Sequence, residues 1–124
     1  MKSKILVDIG IIVEYLKTGK GDLPGAYEKH KMLITPLTYS ELLASETFKD
    51  ETLEKEVLEF IGKYFEVIVI DEKVASQTAQ ILRSNNLTMV SAVNAATAVV
   101  NKIALLTDDE KSYNKVEGLD FAKL

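Results

Sequence analysis

The chain contains no cysteine, which excludes a disulfide framework, a thiolate metal site and a cysteine nucleophile, and fits a reducing compartment. A single histidine, His30, removes most routes to nucleophilic catalysis with an imidazole base. Arg83 is the only arginine and the formal net charge is −4. A broad basic face, the usual source of affinity for phosphate backbones, is therefore not expected. That does not count against a phosphate site where bound metal ions supply the positive charge. No apolar run approaches the roughly 18–20 residues of a membrane span. Met1-Lys2-Ser3 leads straight into a strand-like run, so no signal peptide is expected and the chain reads as cytoplasmic.

What is present is an ordinary globular composition, 47% apolar and 27% charged, over 124 residues. That is enough for one core, and one domain spanning 1–124 is expected. Ile5-Leu6-Val7 within Lys4 to Asp8 reads as a buried parallel strand that stops at an acid. Ile11, Ile12, Tyr15 and Leu16 recur at helical spacing, and Thr18-Gly19-Lys20-Gly21 ends that helix. Leu23-Pro24-Gly25 marks a turn or a new helical start, and Lys31 to Thr35 a second strand closed by Pro36. Helices follow over Leu37 to Ser45 and from a cap at Asp50. The β-branched run Val67-Ile68-Val69-Ile70 predicts a central strand. Asp71 caps a helix towards Arg83, Ser91 to Asn101 forms an alanine-rich helix, and Ile103 to Leu106 is another strand. Gly118 to Ala122 adds an edge strand.

Alternating strands and helices imply an α/β fold: a three-layer α/β/α sandwich around a central parallel sheet. Ligands in such folds gather beyond the carboxyl ends of the strands. Asp8 ends the first strand, Asp109 follows the strand Ile103 to Leu106, and Glu41 lies early in a helix after the second strand. Three carboxylates together repel one another. Mg²⁺ or Mn²⁺ relieves that repulsion, and such an ion can activate a water for attack on a phosphodiester. Singly, each acid is better explained as a cap or a solvated residue.

A family resemblance selects between these explanations. Ile5-Leu6-Val7-Asp8 followed by Ile11-Ile12 resembles the opening motif of PIN domains, in which an Asp ends the first strand. Residues 34–43, ITPLTYSELL, are similar to the stretch in which a Glu follows a Thr-Tyr-small triplet, here Glu41. Residues 91–98, SAVNAATA, look like the family's alanine-rich helix, and Leu105-Leu106-Thr107-Asp108-Asp109 resembles its last motif. The four stretches occur in family order and span almost the whole chain. The resemblance implies a metal-dependent ribonuclease, similar to the toxins of VapBC-type toxin–antitoxin pairs. Asp8, Glu41 and Asp109 would hold Mg²⁺ or Mn²⁺, supported by Ser91, Asn94 and Thr107. It further implies an RNA substrate, a homodimer, and an antitoxin laid over the acidic crevice.

Departures from the pattern define the rival reading. Ser91 stands where the family has an Asp, and Ile9 and Gly10 stand where it has small polar residues. Asn94, one turn beyond Ser91, would offer a neutral oxygen, and Asp108 would be free to swing in. The alternative is therefore a catalytically silent PIN-fold module that binds RNA or protein. A receiver-like signalling domain would need an acidic pair at the first strand, and Asp8 is alone there. His30 reads as a surface residue, Thr18-Gly19-Lys20-Gly21 lacks phosphate-loop spacing, and residues 50–59 read as a solvated helix face. Tyr15 and Tyr64 read as core-edge residues, Tyr39 as a lining residue of the crevice, and Lys17, Lys20 and Arg83 as its substrate-binding rim.

Overall fold

The computed structural model describes residues 2–45 and 51–124. In chain order the elements are β1 (Ser3–Val7), α1 (Ile9–Thr18), α2 (Leu23–Lys29), β2 (His30–Ile34), α3 (Pro36–Ala44), α4 (Glu51–Tyr64), β3 (Glu66–Val67), α5 (Glu72–Ser84), α6 (Met89–Asn101) and β4 (Ala104–Leu106). A 3₁₀ turn, Glu110–Tyr113, follows β4. The expected cap at Asp50 lies outside the described residues.

All pairings are parallel and the strand order is β3-β2-β1-β4. Ser3 to Leu6 pair with His30 to Leu33, and Ile5 to Val7 pair with Ala104 to Leu106. The chain therefore moves outward from β1 through β2 to β3, then returns to the other side of β1. That reversal makes the carboxyl end of β1 a topological switch point, where crevices open in doubly wound sheets.

Side chains alternate across the sheet, and each set has its own core. Ile5, Val7, Met32, Ile34 and Leu106 pack against Ile11 and Ile12 of α1, Leu42 of α3 and Val57 and Ile61 of α4. Leu6, Leu33 and Leu105 face Val74 and Ile81 of α5 and the alanines of α6. The small side chains of α6 let its backbone approach the sheet closely, as its buried run from Ala92 to Ala98 requires. The expected three-layer α/β/α sandwich is the observed architecture. Among the described residues no helix is long and apolar enough to cross a membrane.

The central strand expected at Val67–Ile70 is instead a two-residue edge. Its only neighbour, β2, stops at Ile34, because Thr35 and Pro36 turn directly into α3. The last rung is Ile68 N–H to the Ile34 carbonyl at 2.9 Å, and Val69 is left 78% exposed. Propensity for extended backbone was present, but a partner strand was not. The edge strand expected at Gly118 to Ala122 reduces to one parallel bridge between Leu105 and Phe121. The solvated face of α4 is as expected, with Glu51, Glu54, Lys55, Glu56 and Glu59 all exposed.

These placements fix two contrasting outcomes. Leu6→Ala, fully buried in a central strand, should cost about 2–5 kcal/mol in urea unfolding. Val69→Ser should stay within about 0.5 kcal/mol of the parent; a core-sized loss there would restore the central-strand assignment.

Candidate functional site

Asp8 is where strand, helix and crevice meet. Its N–H adds a further rung to the β1–β4 ladder by donating to the Leu106 carbonyl at 2.9 Å. Its side chain then caps α1, with Oδ1 accepting the Ile9 N–H at 3.0 Å. The residue is only 9% exposed and has no cationic side chain beside it among the described ion pairs. A buried charge in that position must be compensated by donors, and four are supplied. The Asn94 amide donates to Oδ1 at 3.1 Å, while Thr107 Oγ1 and the Tyr113 hydroxyl donate to Oδ2 at 2.9 and 2.8 Å. The amino end of α1 adds its dipole to that compensation.

Asn94 extends the network away from the crevice. The residue is fully buried, and its amide also donates to Thr38 Oγ1 at 3.0 Å while its Oδ1 accepts from Thr35 Oγ1 at 2.7 Å. Thr35 caps α3 by accepting the Thr38 N–H, with Pro36 at the first helical position. Thr107 in turn accepts the Asp109 N–H at 3.1 Å, which sets the course of the chain after β4. No buried side-chain polar atom among the described residues lacks a partner.

In front of this network lies a crevice of about 320 Å³, whose lining includes Asp8, Glu41, Ser91, Asp108, Asp109 and Tyr113. The structure thus brings the three expected acids, and Ser91, to one opening. Asn94 and Thr107 are not among the lining residues; they stand behind Asp8 and hold it. Glu41, Asp108 and Asp109 are solvent-exposed, and Asp109 accepts a short hydrogen bond from Ser112. Gly10 is occupied from outside, since a Cβ there would fall 2.4 Å from Asp108 Oδ1. The missing side chain at position 10 is therefore what lets the Asp108 carboxylate rest on the first turn of α1. Tyr39 packs on the core rather than lining the crevice. Neither Lys17, Lys20 nor Arg83 belongs to the lining, so the expected basic rim is not there. His30 pairs with Ser3 at the other end of the sheet, as a residue outside the site.

Tyr113 was not apparent from the sequence. It is 2% exposed, and its phenol is held well above the ordinary tyrosine range, by burial first and then by the Asp8 charge. The neighbouring Ser91 side chain acts in the opposite direction. The hydroxyl therefore remains a protonated donor. The only signal in sequence was a single aromatic in the polar stretch after Asp109, where a buried phenol must find a partner.

A model of the PIN domain matches residues 5–119. The chain belongs to the PIN domain family. Three solved structures agree in fold. The toxin–antitoxin complex from Klebsiella pneumoniae aligns with a TM-score of 0.76 at 21% identity, covering 93% of this chain and 94% of that one. VapBC2 from Rickettsia felis bound to a promoter DNA fragment gives 0.81 at 13% identity, covering 98% of each chain. VapBC-1 from nontypeable Haemophilus influenzae gives 0.80 at 14%, covering 97% of each. No curated protein matches the sequence.

The all-oxygen donor set of the crevice suits a hard divalent ion, the kind of cofactor the PIN family generally uses. Its placement is less accommodating. Among the described residues no three Asp, Glu or His side chains stand close enough together to hold an ion as they are, and the lone pairs of Asp8 are already engaged. Asn94→Leu, which keeps the branched side-chain skeleton but not its polar atoms, removes the partner of the Thr35 and Thr38 hydroxyls and a donor from Asp8. It should cost about 3 kcal/mol of unfolding free energy; a loss below about 1 kcal/mol would mean that water replaces the amide.

Proposed function

We propose that this PIN domain is the toxin of a VapBC-like pair, an endoribonuclease that hydrolyses RNA phosphodiesters with Mg²⁺ or Mn²⁺. One observation carries the reading: Asp8, Glu41 and Asp109 come from three separate elements to one crevice at the switch point of the sheet. Among the described residues no lysine or arginine lines it, so none of them neutralises a phosphate there.

Asp8, Glu41 and Asp109 would hold the ion, with Thr107 and Asn94 orienting Asp8 and Ser91 as a neutral neighbour. A divalent ion there would supply positive charge to the phosphate and acidify water for attack. The chain's own contribution is positional. Asp8 is fixed by its hydrogen bonds, whereas Glu41 and Asp109 are exposed and able to close on a ligand. An antitoxin with a basic segment would complement the same acidic opening. A cytoplasmic homodimer, which the family resemblance implies, completes the reading.

A second reading rests on a specific feature: Ser91 is neutral where the family pattern has an acid, and Asp8 is saturated by protein donors. On that reading the domain has kept its fold and binds RNA or protein without cutting.

The deciding experiment is incubation of the purified chain with a mixed-structure RNA in Mg²⁺ and in Mn²⁺. Cleavage should stop with EDTA and fall at least about 100-fold in Glu41→Gln and in Asp109→Asn, since even outer partners of a metal are worth 10–100-fold. Both residues are exposed, so neither change should disturb folding. Absence of cleavage by the folded protein in either ion would support the silent module.

A further inference from the structure

Tyr113 has no role in the reaction proposed above, yet it reaches from the 3₁₀ turn after β4 to the centre of the site. Its position among the donors to Asp8 is distinctive. The Ile9 N–H is main chain, Asn94 is fully buried and tied to Thr35 and Thr38, and Thr107 is tied to the Asp109 N–H. None of these three hydroxyl, amide or main-chain donors can leave without breaking a helix cap or a second hydrogen bond. Tyr113 and Ser91, by contrast, both line the crevice, so the phenol approaches Asp8 from the side on which a ligand would enter.

A carboxylate offers about four lone-pair directions. The Ile9 N–H and Asn94 occupy those of Oδ1, and Thr107 and Tyr113 those of Oδ2. We propose that the Tyr113 hydroxyl occupies the place on Asp8 Oδ2 that a divalent ion needs, so that an ion binds only by displacing it. Tyr113 thereby sets the metal affinity of the chain. Ser91, which lines the same crevice, is neutral and withholds a negative charge from the ion. The inference rests on the crevice being a metal site, as proposed above.

Mn²⁺ binding to the full chain, followed by titration calorimetry, separates the two claims. Tyr113→Phe keeps the ring in its core and deletes only the hydroxyl. It should bind Mn²⁺ at least about tenfold more tightly than the parent, the scale of a released hydrogen bond to a charged group. The gain should vanish when Glu41→Gln is added. Equal or weaker binding by the folded Phe variant overturns the lock and leaves the metal site standing. Failure of both parent and variant to bind millimolar Mn²⁺ overturns both. A measurement on the parent protein does not depend on the variant folding: Mg²⁺ should produce a saturable tyrosine difference spectrum as the phenol leaves Asp8. Calorimetrically detected Mg²⁺ binding with an unchanged tyrosine spectrum would equally overturn the proposal.

Discussion

A carboxylate taken out of water, with no cationic side chain paired to it among the described residues, is the constraint on which the rest of this molecule depends. Asp8 has to stand at the carboxyl end of β1 because the sheet reverses its winding order there and leaves an opening. Keeping it there requires donors from several parts of the chain. Residues 8–9 supply the helix cap, α6 supplies Asn94, the end of β4 supplies Thr107 and the following turn supplies Tyr113. Each donor is delivered by an element whose core packing is already fixed, Asn94 by the alanine face of α6 and Tyr113 by the cluster around α5 and α6. The two apolar cores and the polar knot therefore specify one another: if β4 or α6 shifts, Asp8 loses a partner.

Much of this was legible in the sequence because strand ends and helix starts are local signals. Asp8, Thr35-Pro36 and Thr107 each sit where an apolar run stops, and the structure puts each at the carboxyl edge of the sheet. Glu41 and Asp109 were equally visible, and they reach the same crevice. What was hidden depended on long-range pairing. The run Val67-Ile68-Val69-Ile70 has every local property of a central strand, but the length of β2, set by Pro36 thirty residues earlier, limits it to a short edge. Asn94 shares a helix with Ser91 and was expected to face a ligand. It is instead wholly enclosed, tying α3 to Asp8. Tyr113 could not be assigned a partner from sequence, since its contact with Asp8 spans 105 positions.

Position 91 ties the polar knot to function. An acid there would add a ligand to the opening and a negative charge beside the phenol of Tyr113. Serine adds neither. At Gly10 the absence of a side chain makes room for Asp108 to rest on α1. The result is a PIN domain whose acidic crevice is built on a carboxylate held by protein donors.

The central claim, that Asp8 is the hub linking α6 to the turn after β4, is tested most directly by a double-mutant cycle. Asn94 and Tyr113 donate to different oxygens of the same carboxylate. Unfolding free energies would be measured for Asn94→Leu, Tyr113→Phe and the double variant. The account predicts a coupling of about 1 kcal/mol, within the usual range for members of one network. Costs that add to within about 0.3 kcal/mol would contradict it, since the two side chains would then act on the fold independently of Asp8.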